Sequence, residues 1–320
     1  MKAIVMERTG PAEVLECRLW PEPPLDRGQA RVQMAFAGVN FLDVYRRRGE
    51  MKIPLPSIPG MEGAGTVIEV ASGVTDVAPG DRVAFTNQPS AYAEQVCVSA
   101  STLIPVPDSL SLEQAAALPM QGMTAHYLLH DFRRARAGES ILIHAAAGGT
   151  GLLLVQWARH LGLRVFATVS SAAKMEAVRE AGADEVILYT EKDFAAEVIR
   201  LTKGKGVDYI LDGVGKSTFL KNLSAAANRG NIVFFGFSSG LPDPIAPGVL
   251  TVKSLTLSSA RLRNHIIDRN SLLERANAVF AGVEAGWLKI HSHTLPMEHA
   301  ADAHRLLEQR QTIGKLLLSV

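Results

Sequence analysis

Two patterns of apolar and polar positions divide the sequence near Leu118. Before that point, short runs such as residues 30–36 and 65–70 alternate apolar with polar side chains, and Gly- and Pro-rich turns separate them. Alternation with a period of two is typical of strands with one buried face, so we predict a mostly β domain over residues 1–119. After Leu118, continuous apolar runs alternate with helical patterns, which indicates repeated βα units.

The second region predicts a parallel sheet with helices between its strands. Runs such as Ile141-Leu142-Ile143 are apolar throughout, as expected for strands that are buried on both faces. The predicted strands are 140–145, 164–169, 185–188, 207–212, 231–235 and, at one edge of the sheet, 254–258, and the predicted helices include 149–161 and 172–181. This pattern predicts an α/β fold with a doubly wound Rossmann domain over residues 120–263.

The last segment, residues 264–320, combines a long helical pattern with a closing apolar run. That run, residues 315–320, reads as a strand, and a strand needs a sheet to join. We predict that it pairs with the N-terminal β domain.

Composition and charge are those of a globular protein that acts away from nucleic acids and membranes. A chain of 320 residues with 47% hydrophobic and 20% charged residues is long enough for about two domains. The net charge of +1 comes without a Lys- and Arg-rich patch, which disfavours nucleic acid as a partner. Strand-like sequence follows Met1 directly and no apolar run approaches a bilayer span, so we expect a cytoplasmic protein. The two cysteines, Cys17 and Cys97, are too few for a disulfide framework or a Cys-rich metal site.

A glycine-rich loop connects the first strand of the second domain to the helix after it. Residues 145–151 contain Ala146-x-Gly148-x-x-Gly151, which differs by one residue from the G-x-G-x-x-G dinucleotide fingerprint. In that fingerprint, Gly148 lets the backbone approach a pyrophosphate, and the helix beyond it presents free N–H groups. Gly151 allows the helix to pack closely on the strand. We therefore predict a dinucleotide cofactor at this loop.

The end of the second strand predicts that the cofactor is NADPH. Enzymes that use NAD place an Asp or Glu there to hold the ribose 2′-hydroxyl, but this chain has Ser170 and Ser171, followed by Lys174. Two hydroxyls and a cation suit a 2′-phosphate. The structural alternative is that Ser170 caps the next helix and Lys174 is a solvated residue on its surface.

Seven segments, spread nearly end to end, resemble one enzyme family. They are residues 37–45, 59–65, 80–84, 118–127, 145–151, 212–215 and 314–318. Through them the chain resembles the medium-chain dehydrogenase/reductase superfamily, and specifically its zinc-free quinone oxidoreductase branch, which includes zeta-crystallin-like proteins. The resemblance implies a GroES-like catalytic domain at 1–119 and a Rossmann NADPH-binding domain inserted at 120–263. The segment 264–320 would then return to the catalytic domain.

The resemblance also implies which residues contact the cofactor. Tyr189 and Arg310 would join Lys174 around the 2′-phosphate, and an exposed position at a helix end is the alternative role of Arg310. The remaining expected contacts are Phe41, Tyr127, Gly148, Gly149, Thr150, Ser170, Val214, Gly236, Phe237, Ser238, Ser239, Ala260 and Leu262. The match near Ala260 is loose, because relatives often carry an Arg-Pro in this loop.

The same comparison predicts that no zinc is bound. The superfamily's zinc enzymes use Cys and His ligands, and the corresponding positions here are Asn40 and Met61. The four-cysteine structural lobe of those enzymes has no counterpart. The histidines, including His291, His293 and His299, show no metal-ligand spacing, so surface and packing roles are expected for them.

Without a metal, the acceptor must accept hydride and delocalise the resulting charge, as quinones and conjugated enones do. Asn40 and Tyr45 are the candidates for hydrogen bonding to the substrate oxygen, beside Phe41. Their structural alternatives are a turn for Asn40 and helix packing for Tyr45. Many relatives have a tyrosine where this chain has Met51, so the proton donor of enone reductases is missing and water is an alternative donor. This difference mildly favours quinone reduction.

The leading hypothesis is therefore an NADPH:quinone oxidoreductase. The alternative within the same chemistry is an NADPH-dependent alkenal/enone double-bond reductase. An RNA-binding or crystallin-like structural protein is the alternative from another class, and the near-neutral charge argues against RNA. The strand at 254–258 would leave an open sheet edge, which predicts a homodimer through that edge.

Overall fold

The computed structural model describes residues 1–320, which contain fifteen strands and nine α-helices. The strands are β1 Lys2–Val5, β2 Glu16–Leu19, β3 Gln29–Val39, β4 Glu62–Val70, β5 Arg82–Thr86, β6 Gln95–Ser99, β7 Ile104–Pro105, β8 Ser140–Ile143, β9 Arg164–Val169, β10 Glu185–Leu188, β11 Val207–Asp212, β12 Ala226–Phe234, β13 Thr256–Ser259, β14 Ser292–Pro296 and β15 Lys315–Ser319. The helices are α1 Phe41–Arg48, α2 Leu112–Ala117, α3 Pro119–His130, α4 Gly149–His160, α5 Ala173–Glu180, α6 Phe194–Leu201, α7 Phe219–Ala225, α8 Arg269–Glu284 and α9 Ala300–Glu308.

The chain divides into two compact units. The first, here called the β unit, comprises Met1–Met123, Ile266–Ala285 and Ile290–Val320. The second, here called the Rossmann unit, comprises Thr124–His265 and Gly286–Lys289. No helix in either unit combines the length and apolar character that crossing a bilayer requires.

The β unit is organised around a sheet in the order β14-β15-β3-β4-β5-β7, and β6 also pairs with β3. Alternating side chains of β3, among them Ala30, Val32 and Met34, are buried in the core of the unit. Gly65 lets β4 approach β3 closely, because a Cβ atom there would lie 2.1 Å from the carbonyl oxygen of Gln33. This GroES-like unit has the strand character that the alternating sequence predicts.

The C-terminal strand joins this sheet, as predicted. β15 lies between β14, to which it is parallel, and β3, to which it is antiparallel. Leu316 and Leu318 enter the core of the β unit. The charged residue at the start of the strand, Lys315, is also buried and only 2% exposed, so it needs a partner inside the unit.

The Rossmann unit contains a parallel six-stranded sheet in the order β10-β9-β8-β11-β12-β13. This is the doubly wound order in which ligands bind at the carboxyl ends of the strands, near the reversal between β8 and β11. Leu142, Phe166 and Ile210 are fully buried in its core, as expected for strands covered on both faces.

The strand predictions for this sheet are confirmed, with small differences at some ends. β9, β10 and β11 have the predicted bounds, and β13 lies at the edge of the sheet. β8 ends at Ile143, two residues early, and Ala145 beyond it has a φ of 51°. β13 begins at Thr256 rather than at 254, because Ser254 also has a positive φ of 51° and cannot continue a strand. β12 begins five residues before the predicted start, at Ala226, and ends at Phe234.

Candidate functional site

The glycine loop places a helix N-terminus at the carboxyl edge of the Rossmann sheet. Gly148 is the N-cap of α4, and Gly149 and Thr150 form its first turn. A Cβ atom on Gly151 would lie 2.4 Å from the carbonyl oxygen of Ala145, so only glycine allows the helix to pack this closely on the loop. The first N–H groups of a helix have no intrahelical partner and point toward a bound anion. This arrangement suits the pyrophosphate of a dinucleotide.

Three of the four residues predicted around the 2′-phosphate lie near the ends of β9 and β10. Ser170 directly follows β9, and Lys174 lies on α5. The backbone N–H of Tyr189 donates to the carbonyl oxygen of Val169 at 3.2 Å, which places Tyr189 next to the end of β9. The turn between β9 and α5 contains no carboxylate. A serine hydroxyl and a lysine ammonium are the kinds of group that bind a phosphate.

The capping alternative for Ser170 is wrong. The N-cap of α5 is Ala172, and no side chain caps that helix. Ser170 instead precedes the helix, and its carbonyl oxygen accepts a hydrogen bond of 3.4 Å from the Thr190 hydroxyl. Arg310 belongs to the β unit, where it is exposed, follows the C-cap of α9 and has a φ of 57°. Its contact with a phosphate stays a prediction.

Two further segments predicted to contact the cofactor are hydrogen-bonded to each other. The Ser239 hydroxyl and backbone N–H both donate to the carbonyl oxygen of Val214, at 2.8 and 2.9 Å. A Cβ atom on Gly236 would lie 2.8 Å from the carbonyl oxygen of Gly213, so the segments after β11 and β12 approach closely. The structure thus brings Val214 together with residues 236–239, including Phe237 and Ser238.

The remaining predicted contacts in the Rossmann unit are buried. Ala260 continues the pairing of β12 and β13, since its N–H donates to the carbonyl oxygen of Phe234 at 3.0 Å. Leu262 begins a short 3₁₀ turn and is 8% exposed. Tyr127 is 1% exposed, and its ring stacks on His265 with centroids 4.1 Å apart.

In the β unit, the Asn40 side chain is held by a buried ion pair. The Asn40 amide nitrogen donates to Glu62 Oε1 at 2.8 Å, and Asn40 Oδ1 accepts from Lys315 Nζ at 2.9 Å. Lys315 and Glu62 also contact each other directly. Glu62 Oε2 accepts the backbone N–H of Met120 at 2.7 Å. Asn40 is also the N-cap of α1, so it has a structural role, and its role toward a substrate stays a prediction.

These surroundings do not fit a zinc ion. Asn40 Oδ1 faces the Lys315 ammonium, and the sulfur of Met61 contacts the Arg46 guanidinium. Both atoms that would have to coordinate the metal already accept hydrogen bonds from cationic side chains, and neither an amide oxygen nor a thioether sulfur is a usual zinc ligand. Among residues 1–320, no three His, Cys, Asp or Glu side chains are grouped so that they could hold a metal ion.

Phe41 and Tyr45 lie one turn apart on α1. Their ring centroids are 5.9 Å apart, and the rings are tilted by 38°. Tyr45 is 8% exposed, which is compatible with the helix-packing alternative. The N–H groups of Glu50 and Met51 approach the carbonyl oxygen of Tyr45 at 3.0 and 3.4 Å, so Met51 follows α1 directly.

A second buried polar cluster behind α1 was missed by the sequence interpretation. Asp43 Oδ2 accepts the backbone N–H of Asn40 at 2.9 Å, and the Tyr92 hydroxyl lies 3.3 Å from the same oxygen. The same hydroxyl is 3.3 Å from His304 Nε2. Burial raises the pKa of Asp43 to about 7 and lowers the pKa of His304 to about 3. The only sequence signal was the position of Asp43, three residues after a helix N-cap.

Two family descriptions match the chain. One, alcohol dehydrogenase GroES-like domain, matches residues 26–108, and the other, zinc-binding dehydrogenase, matches residues 149–277. The chain is 39% identical to a 2-haloacrylate reductase from Burkholderia sp, over 99% of this chain and 98% of the relative. It is also 39% identical to a quinone oxidoreductase from Pseudomonas aeruginosa, over 99% of each chain. The structure of Escherichia coli quinone oxidoreductase complexed with NADPH superposes over 100% of both chains with a TM-score of 0.97 and 35% identity.

Proposed function

The chain belongs to the zinc-free quinone oxidoreductase branch of the medium-chain dehydrogenase/reductase superfamily, and we propose that it is an NADPH-dependent reductase that transfers hydride to a quinone. One observation carries the cofactor assignment. The glycine loop begins α4 at the carboxyl edge of the sheet, and the neighbouring strand β9 ends in Ser170 with no carboxylate. The similar Escherichia coli enzyme is complexed with NADPH, which agrees with this assignment.

The chain's own residues bind the cofactor and orient the acceptor. The N-terminus of α4 and Gly148 hold the pyrophosphate, and Ser170, Lys174 and Tyr189 hold the 2′-phosphate. Bound NADPH supplies a hydride. In the β unit, Asn40 and Tyr45 donate hydrogen bonds to the acceptor oxygen, where negative charge develops as hydride arrives.

A quinone suits an enzyme that lacks a Lewis acid. The residues at the zinc-ligand positions, Asn40 and Met61, face Lys315 and Arg46 and cannot polarise a carbonyl through a metal. An acceptor that delocalises the added charge as a phenolate needs only hydrogen bonds and positioning. The buried Lys315–Glu62 pair fixes the orientation of the Asn40 amide, and its second amide N–H, now 3.4 Å from the carbonyl oxygen of Gly38, is the one that would turn to the acceptor.

A second candidate is reduction of a polarised carbon–carbon double bond. The similarity to a 2-haloacrylate reductase favours it, since that relative is named for an activated alkene. In an enone, the carbonyl oxygen would occupy the place of the quinone oxygen beside Asn40 and Tyr45. The carbon that receives the proton would have no tyrosine at position 51, where this chain has Met51, and water would deliver the proton.

Steady-state turnover separates the two candidates. NADPH oxidation is measured with 1,4-benzoquinone and with an α,β-unsaturated ketone at equal concentration. We expect a higher kcat/KM with the quinone and a strong preference for NADPH over NADH. Turnover of the ketone alone would replace the quinone assignment by the alkene one, and the absence of NADPH binding would reject both.

We further propose a homodimer that forms through the edge of the Rossmann sheet, and a cytoplasmic location. β13 is the edge strand, and an unpaired edge is usually covered. The cysteines Cys17 and Cys97 are both free, which suits a reducing compartment. We also propose that residues 1–119 with 264–320 form the catalytic domain and that residues 120–263 form the NADPH-binding domain.

A further inference from the structure

Buried polar side chains join the ends of three strands in the Rossmann unit. His144 follows β8, Thr168 lies near the end of β9, and Asp212 ends β11, while Asn222 projects from α7. Each of these four residues is at most 2% exposed. None of the four belongs to the predicted cofactor contacts.

The four side chains form a continuous chain of hydrogen bonds. The Asn222 amide nitrogen donates to Asp212 Oδ2 at 2.6 Å, and Asn222 Oδ1 lies 2.8 Å from His144 Nε2. His144 Nδ1 lies 3.0 Å from the Thr168 hydroxyl oxygen. Because the Asn222 oxygen can only accept, Nε2 of His144 must carry the proton, and Nδ1 then accepts from the Thr168 hydroxyl. Burial lowers the pKa of His144, so the neutral ring that this pattern requires is favoured.

Asp212 also fixes the turn that follows its own strand. Its Oδ1 accepts the backbone N–H groups of Val214 and Gly215, at 2.8 and 3.0 Å. Its Oδ2 accepts the Thr218 hydroxyl at 2.8 Å as well as the Asn222 amide. The position of Val214 is therefore linked, through Asp212 and Asn222, to the ring of His144.

Each of the three strand ends leads into one group of proposed NADPH contacts. β8 leads into Gly148–Thr150, β9 into Ser170 and Lys174, and β11 into Val214. We propose that His144 and Thr168 are positioning residues for NADPH: the chain of hydrogen bonds from Thr168 through His144 and Asn222 to Asp212 sets the spacing between the segments that bind the 2′-phosphate, the pyrophosphate and the nicotinamide half. This inference rests on the proposed function.

The chain of hydrogen bonds from Thr168 to Asp212 is better suited to fixing the spacing of three strand ends than to stabilising the fold. A buried polar network adds little net stability compared with apolar side chains of the same shape, but it fixes one relative position of the strands that carry it. A charged ligand that contacts three segments at once loses affinity when one of them shifts by about an ångström. Removing one member leaves its buried partner unpaired and lowers stability, but it should also weaken cofactor binding, which the loss of a buried hydrogen bond elsewhere in the unit should not do.

The Thr168→Val variant tests the link to β9 alone. Valine has the shape of threonine but cannot donate to His144 Nδ1, so the segment that carries Ser170 and Lys174 loses its side-chain link to His144, while the backbone hydrogen bond of 3.1 Å from Ala146 N–H to the Thr168 carbonyl oxygen remains. We expect the Kd for NADPH to rise about tenfold and the Kd for NADH, which has no 2′-phosphate, to change less than about twofold. Thr168→Ser keeps the hydroxyl and should restore NADPH binding. Both constants are measured by fluorescence titration of the full chain.

A second variant and a matched control separate positioning from folding. His144→Phe keeps a ring but breaks both of its hydrogen bonds, so it should weaken NADPH and NADH alike. Gln156→Leu removes buried hydrogen bonds from the same unit but leaves the hydrogen bonds between Thr168 and Asp212 intact. The Gln156 side-chain amide forms its hydrogen bonds with the backbone of Leu152 and Lys289. We expect this control to lower the melting temperature while leaving both Kd values within about twofold of wild type.

The outcomes are distinct. The inference is overturned if the Kd for NADPH of both Thr168→Val and His144→Phe stays within about twofold of wild type, or if Gln156→Leu raises it as much as they do. A wild-type protein that does not bind NADPH would reject the proposed function instead. If Thr168→Val does not fold, the Kd values for NADPH of His144→Phe and Gln156→Leu are compared instead, and the inference holds only if that of His144→Phe is clearly higher.

Discussion

The carboxyl group of Asp43 is buried in the β unit at 1% exposure, and its Oδ1 has no hydrogen-bond partner. Burial raises its pKa from 3.8 to about 7. Because the folded-state pKa is raised, the folded protein retains a proton that the unfolded chain has already lost between these two pH values. The resulting stability is fully present below about pH 4 and is lost as the pH rises through 7. The resulting change in the free energy of unfolding over this pH range is at most roughly 4 kcal/mol.

Replacing Asp43 by Asn should remove this pH dependence. We expect Asp43→Asn to gain stability relative to wild type as the pH rises from 5 to 9, because the variant has no carboxyl group to ionise. The measurement is urea unfolding at pH 5, 7 and 9.

Asp193→Asn is the matched control. The pKa of Asp193 is lowered by hydrogen bonds from Lys221 and from the backbone N–H groups of Ala196 and Ala195, so this exposed group is ionised in both states above pH 5. Its difference from wild type should stay constant over the same range. A constant difference for Asp43→Asn as well would contradict the raised pKa of Asp43.

The ammonium group of Lys174 is proposed to contact the 2′-phosphate of NADPH. Removing its ammonium with Lys174→Ala should cut the preference for NADPH over NADH in kcat/KM by about tenfold or more, because NADH presents no phosphate to this side chain. Lys205→Ala is the control, since Lys205 precedes β11, pairs with Asp208 and lies at the amino end of the strand. An unchanged preference in Lys174→Ala would remove Lys174 from the phosphate site.

Among the elements, α4 owes its close packing on the glycine loop to a single residue, Gly151. In Gly151→Ala the added Cβ would lie 2.4 Å from the Ala145 oxygen and 2.7 Å from Ala146 Cα, both backbone atoms, so the helix must move away from the loop. We expect NADPH binding to weaken at least about tenfold, together with a lower melting temperature. Gly248→Ala is the control, because no atom lies within 4 Å of its added Cβ. Wild-type affinity in Gly151→Ala would show that the loop accommodates the methyl group.

The sequence predicted the elements of the Rossmann unit well because each strand is a continuous apolar run between turn-forming residues. β9, β10 and β11 have the predicted bounds for that reason. The ends of β8 and β13 differ because Ala145 and Ser254 adopt positive φ values, which neither residue type signals in a sequence. The order of the strands could be inferred only from the family resemblance, since periodicity describes one strand at a time.

The candidate site was predictable where local sequence sets the chemistry. The glycine loop and the missing acid after β9 are local features, and they pointed to a dinucleotide with a 2′-phosphate. The partners of Asn40 were not predictable, since Lys315 is 275 residues away and a lysine ahead of a C-terminal strand gives no sign of being buried. Asp43, Tyr92 and His304 are likewise joined only by the tertiary fold.

At the scale of the whole molecule, the proposed dimer can be tested at the sheet edge. Thr256 is an exposed residue of β13, and a lysine there would place like charges together in a two-fold strand pairing. We expect the wild type to sediment as a dimer and Thr256→Lys as a monomer with a similar melting temperature. The matched substitution Thr190→Lys, at another exposed threonine of the same unit, should leave the mass unchanged. A monomeric wild type would contradict the proposal.

The position of β15 between β14 and β3 also determines when the β unit can complete its folding during synthesis at the ribosome. β3 ends at Val39, and its neighbour β15 begins at Lys315. β3 therefore cannot pair with β15 until almost the entire chain has been synthesised. At about 5–20 residues per second, that interval lasts roughly 15 to 60 seconds. The Rossmann unit is almost entirely contiguous, Thr124–His265, and can fold during this time. Until β15 emerges, β3 has an open edge and Glu62 lacks its counter-ion, which makes the nascent β unit a natural client for a chaperone.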